Sequence, residues 1–114
     1  MKTGNLIVDL TFDFSLKIVE FTSKLEVIRK YPLSNQLFKS GTSVGANVRE
    51  SQSAESKNDF VHKLKISAKE AEETEYWLLL CKHSELLPDP GNLLDELKRI
   101  QKVLSSIIST SKKR

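Results

Sequence analysis

The sequence holds a single cysteine, Cys81, so no disulfide can form within the chain. A reducing compartment is the expected setting. Glycine and proline are scarce, with four and three copies in 114 residues, which excludes collagen-like and Gly/Pro-rich disordered chains. No apolar run approaches the roughly 18 residues that a membrane span requires. The first residues also lack the apolar stretch and small-residue cleavage site of a secretion signal. A cytoplasmic location without membrane association is therefore expected. Strong charge of one sign is missing as well. The formal net charge is +3, and Lys112, Lys113 and Arg114 alone supply three positive charges, leaving residues 1–111 neutral. The basic balance thus belongs to a short tail, expected to be solvated and frayed, and not to a basic body.

What is present is helical periodicity. Hydrophobic residues at 39% and charged residues at 29% suit one folded domain spanning residues 1–114, large enough for a core of its own. Leu10, Phe14, Ile18, Phe21, Leu25 and Ile28 recur at spacings of three and four. They predict a first helix over about 9–31, ended by Tyr31-Pro32. Leu6, Val8, Leu10, Phe12 and Phe14 also alternate as in a strand, but the longer period of 3.6 favours helix from Asp9 onward. A second helix is expected over 34–51, with Ser34 as its cap and Leu37, Gly41, Val44 and Val48 inward. Gly41 and Gly45 are poor helix formers, and close approach of another helix is the reason expected for them. A loop break near Gly41 is the competing reading. The third helix is expected over 56–86, opened by a capping box of Ser56 with Asp59. Phe60, Leu64, Ser67, Ala71, Thr74 and Leu78 share its inner face. The fourth is expected over 91–110, with Leu93, Leu97, Ile100, Leu104 and Ile107 inward. Short connections give an antiparallel, up-down four-helix bundle.

Two helices carry more apolar surface than one buried stripe requires. Phe12, Leu16 and Val19 fall opposite the first helix's core stripe, and Ile66, Trp77 and Leu80 lie off the third helix's core face. Such patches mark interfaces, so these six residues are the expected contacts of a homo-oligomer. The alternative is that the helix ends wrap a broad core and Trp77 covers a loop. On the second helix, Gln36, Ser43, Asn47 and Glu50 form a polar stripe. Ser and Asn are weak choices for an exposed helix, so a hydrogen-bonded network with the third helix is expected, where Lys63, Lys69, Glu70 and Glu73 are the candidate partners, against the plainer reading of a solvated face.

The residues that carry chemistry do not converge. His62 and His83 are too far apart on one helix to share a metal. Glu70, Glu72, Glu73 and Glu75 form no Glu-x-x-His pair of a di-iron bundle. The run Gly41 to Gly45 lacks the lysine and spacing of a phosphate loop. No catalytic residue, cofactor or metal is expected, and no enzyme activity.

Two runs carry a resemblance. One is Gln36-Leu37-Phe38-Lys39-Ser40-Gly41-Thr42-Ser43-Val44-Gly45-Ala46-Asn47-Val48-Arg49-Glu50. The other extends from Ala54 to Phe60 and on through Glu70-Ala71-Glu72-Glu73-Thr74-Glu75-Tyr76-Trp77-Leu78. Together they resemble the bacterial "four helix bundle protein" family, related to proteins encoded in intervening sequences of ribosomal RNA genes. The chain is also similar to the accessory proteins of diversity-generating retroelements. The resemblance implies an up-down bundle and a ring-like homopentamer. It further implies contact with nucleic acid through basic residues, with Lys39 at a basic family position and Phe38 where a second basic residue often stands. Two functions follow as expectations. The first is a non-enzymatic, homo-oligomeric scaffold or adaptor that contacts RNA or DNA through Lys39, Arg49 and Lys57. The second is a protein-binding module with no nucleic-acid role.

Overall fold

Asn5 starts the first helix. Its side chain accepts a hydrogen bond from the Val8 N–H, and Asp9 in the first turn complements the helix dipole. In the computed structural model, which describes residues 2–113, α1 therefore spans Leu6–Val27. The expected start at Asp9 is three residues late. Ile7, Val8 and Thr11 are buried, so the strand-like alternation hid one more helical turn of the core stripe. The expected end is corrected too. Arg29 adopts a left-handed backbone, with φ 61°. The Arg29 N–H bonds the Glu26 carbonyl and the Lys30 N–H bonds the Leu25 carbonyl, both at 2.9 Å. This paired bonding closes the C-terminus of α1 before the proline is reached.

Pro32 instead opens α2, Tyr31–Ser51, where a missing N–H removes no helical hydrogen bond. Ser34 is not the cap. It is buried in the first turn, and its hydroxyl donates to the Thr22 carbonyl of α1 at 3.1 Å. α2 is continuous across both glycines. A Cβ on Gly41 would stand 2.9 Å from both Cγ1 and Cγ2 of Ile18, and one on Gly45 would stand 3.1 Å from the Thr11 carbonyl oxygen. Those short distances show how closely α1 and α2 pack.

Ser56 caps α3, Lys57–His83, accepting the Asp59 N–H at 3.0 Å. Asp59 reaches back to the Glu55 N–H at 3.3 Å, one residue before the cap, so the box is displaced by one position. The helix stops at His83, three residues short of the expected Leu86, because Ser84 turns extended. Asp89 then accepts the Gly91 N–H at 2.7 Å, and Gly91 takes φ 58°, a conformation that favours glycine. α4 follows as Leu93–Lys112. The Ser109-Thr110-Ser111 segment and Lys112 are helical rather than frayed, and Lys113 follows the helix end. Arg114 lies outside the described residues.

The described residues are all-α, with no strand. Each helix packs on its chain neighbours and α4 returns to α1, while α1 and α3, like α2 and α4, stand diagonally across the bundle with their backbones apart. Phe14, Ile18 and Leu25 of α1 meet Leu37, Val44 and Val48 of α2 in one buried core. Leu64, Ala71 and Leu78 of α3 and Leu97, Ile100 and Leu104 of α4 complete it. Buried hydroxyls join α2 to α3. Ser67 donates to the Val44 carbonyl at 2.8 Å. Ser40 and Thr74 lie 3.0 Å apart. Thr74 gives its proton to the Glu70 carbonyl at 2.7 Å, which leaves its oxygen to accept the proton of Ser40. Among the described residues no buried side-chain N or O atom lacks a partner. Cys81 is buried in the core, and burial pushes its thiol up to about 11.

Four outcomes follow from this packing. Gly41→Ala lowers stability in chemical denaturation, because overpacking costs about 1–3 kcal/mol and outweighs a propensity gain of about 1 kcal/mol. In an Ile18→Ala background the same substitution turns stabilising, since the side chain it meets is gone. Arg29→Gly raises stability by about 0.5–1 kcal/mol by relieving the left-handed backbone. Cys81 resists alkylation at pH 8 in the folded chain, where about one thiol in a thousand is ionised, and reacts at the ordinary rate once urea unfolds it.

Candidate functional site

Where α1 and α2 approach at Gly45, a shallow groove is left on the outside of that pair. Two cavities lie along it. One, of about 320 Å³, is lined by Val8, Thr11, Phe12 and Ser15 of α1 with Gly45, Ala46 and Arg49 of α2. The other, of about 400 Å³, is lined by Val19, Thr22, Ser23 and Glu26 with Ser34, Asn35 and Phe38. Phe12, Leu16 and Val19 stand beside the groove at helical spacing, exposed by 37%, 50% and 41%, and Phe38 faces them from α2 at 46%. Sequence reasoning singled out the three α1 residues. It missed Phe38 as part of this face, although an aromatic off the core stripe is the signal that would have marked it.

The other three expected contacts lie elsewhere. Leu80 is exposed on α3, with Tyr76 and Leu79 nearby in the chain. Trp77 is half-buried against the core. Its indole N–H donates to Glu73 at 3.1 Å, and its ring meets Tyr76 edge-on at 5.2 Å. Ile66 is half-buried. Because α1 and α3 are diagonal, Phe12, Leu16 and Val19 form one face, and Ile66, Trp77 and Leu80 belong to a different side of the bundle. The six residues make no single patch.

The polar stripe of α2 bonds mostly to its own helix. Ser43 donates to the Lys39 carbonyl at 2.6 Å and Asn47 to the Ser43 carbonyl at 2.9 Å. Gln36 is exposed. Glu50 alone of the stripe is paired with α3, through Lys63 at 3.2 Å. Glu73 holds Trp77, and Glu70 serves Thr74 through its backbone. The network between α2 and α3 is built instead from Ser40, Ser67 and Thr74. Those residues lie in phase with the apolar stripes, and a buried hydroxyl in such a stripe is the sign of a cross-helix bond.

The three cationic candidates do not converge either. Arg49 lines the α1–α2 groove, whereas Lys57 lines a cavity of about 420 Å³ beside α3 and α4. Lys39 lies ten residues before Arg49, about 15 Å along α2. The cavity at Lys57 gathers other basic residues, Lys65 and Lys112 with His62, that only the return of α4 brings together. The Lys65 pKa is held below the ordinary lysine value, first because the Lys112 side chain is within hydrogen-bonding reach and then because of its like charge. Among the described residues no group of three His, Cys, Asp or Glu could hold a metal ion, and no helix is long and apolar enough to cross a membrane.

The family model described as 23S rRNA-intervening sequence protein matches residues 5–106, which takes in nearly all of the four helices. A crystal structure from Bacteroides thetaiotaomicron VPI-5482, described as a protein with unknown function from the S23 ribosomal protein family, has the same fold, with a TM-score of 0.82. It is 39% identical, and the alignment covers 90% of this chain and 97% of that one. No curated protein matches the chain. With a match over so much of its length, the chain belongs to the 23S rRNA-intervening sequence protein family.

Proposed function

We propose that this protein is a non-enzymatic helical scaffold that assembles with copies of itself. One observation carries the reading: apolar side chains are exposed on two helices that stand diagonally across the bundle, Phe12, Leu16 and Val19 on α1 and Tyr76, Leu79 and Leu80 on α3. Two different faces suit a head-to-tail contact, in which the α1 face of one copy meets the α3 face of the next. Repeated by a closing rotation, that contact gives a ring. A self-complementary pair would need only one face. Phe38 and the small residues Gly45 and Ala46 give the α1 side a groove that an α3 ridge could enter. RNA or DNA contact through Lys39, Arg49 and Lys57 is not favoured, since Arg49 and Lys57 line different cavities and Lys39 lines neither. A heterologous protein partner could use the same apolar faces, and self-assembly is preferred because both complementary faces sit on one chain.

Light scattering on the purified protein is expected to give a mass several times 12.9 kDa. Leu16→Glu and Leu80→Glu, made separately, are each expected to reduce it to the single-chain mass with helical circular dichroism retained. A wild-type mass of one chain would overturn the reading. A two-chain mass that Leu80→Glu leaves intact would replace the ring with an isologous α1 pair.

A further inference from the structure

We propose that one end of the bundle, built from the α1–α2 turn and the α3–α4 loop, binds the same end of a second copy. Antiparallel packing brings these two connections to one end of the molecule. They adjoin there, since Phe21 and Lys24 of α1 line a cavity with Asp89, Pro90 and Gly91 of the loop. Four large apolar side chains stand open at this end: Val27 by 82%, Leu86 by 76%, Tyr31 by 50% and Ile28 by 45%. Their chain neighbours Leu25, Leu33 and Leu87 pack in or against the core, so the open residues continue it outward. Among the described residues the opposite end exposes one large apolar side chain, Leu6. The two ends do not match, and an end-on contact between copies therefore joins like ends about a two-fold axis.

Charge selects a second copy over a membrane as the occupant. Residues 26–31 and 82–89 carry three cations, Arg29, Lys30 and Lys82, and three anions, Glu26, Glu85 and Asp89. A balanced rim gains no net attraction from an anionic bilayer. Set against itself, it offers the cations of one copy carboxylates on the other. Two such ends facing each other remove on the order of 1,000 Å² from water, the lower edge of a specific interface. Little ordering is needed on contact. The Arg29 and Lys30 N–H groups already close the α1–α2 turn, and the Ser84 hydroxyl accepts the Leu86 N–H at 3.2 Å. One contact of this size is weak and forms only at high concentration. In a ring of copies several ends lie in one plane, and their contacts act together to pair two rings. The pairing of rings rests on the ring reading above, and the end contact itself does not.

Leu16→Glu removes the lateral contact and isolates the end for testing in the full chain. Sedimentation equilibrium of this variant up to about 1 mM is expected to show single chains passing to a two-chain species. Adding Val27→Ser and Leu86→Ser is expected to weaken that step by about tenfold or more. Both residues are exposed, so circular dichroism is expected to show the fold retained. Small-angle X-ray scattering reads the geometry. One chain measures 47 × 23 × 22 Å, and an end-to-end pair is expected to be about twice as long and no wider. In the chain with Leu16 intact, the two serines are expected to halve the assembled mass at high concentration. A wild type that assembles to the same mass with and without the serines keeps the ring reading and overturns the pairing of ends. The proposal is overturned equally if the Leu16→Glu chain stays single at about 1 mM, or if its two-chain species survives both serines or is no longer than one bundle. Capture by phosphatidylserine vesicles in place of pairing, lost with the two serines, overturns it in favour of a membrane.

Discussion

Ile18 occupies the space that a side chain at residue 41 would need, and the bundle is arranged around that contact. α1 and α2 meet at glycines one turn apart, close enough that a Cβ at either would crowd Ile18 or the Thr11 backbone. Glycine in a helix lowers local stability by about 1 kcal/mol. The burial of Ile18, Leu37 and Val44 in the shared core offsets that loss. The same close approach makes the outer groove. With no bulk at residue 45, the floor between the helices stays shallow, and Phe12, Val19 and Phe38 line its sides.

The α2–α3 contact uses a different device. Small polar residues replace bulk there, and Ser40, Ser67 and Thr74 bond across or along the helices so that no hydroxyl is buried unsatisfied. Directional bonds of this kind specify register, because sliding one helix by a residue would orphan the donors. The exposed pairs Lys17 with Glu96 and Lys63 with Glu50 add to registry at the surface, where solvent screening keeps their energy small.

Charge is distributed by topology rather than by composition. Antiparallel packing puts the start of α3 and the end of α4 at one end of the molecule, so lysines remote in sequence share a cavity in a chain whose body is neutral. The apolar faces divide in the same way. Those of α1 and α3 look similar in the sequence, and the square arrangement of helices sends them in opposite directions.

The apolar stripes of all four helices were legible in the sequence because a period of 3.6 is imposed on each helix by its own backbone. Phe14, Ile18, Val44, Val48, Leu64, Leu97 and Ile100 are buried as that period requires. The need for close packing at Gly41 was legible too. Helix ends were less so. Tyr31-Pro32 reads equally as a stop or a start, and only the left-handed Arg29 settled that α1 ends first. The polar network moved from Ser43 and Asn47 to Ser40 and Thr74 because an angle on a helical wheel does not say which hydroxyl will face a partner and which will bond its own turn. Sequence alone therefore determined the helices and their inner faces, which depend on residues three and four apart. Tertiary structure alone decided which outer faces adjoin and which cations meet, because Lys65 and Lys112 become neighbours only when α4 folds back along α3.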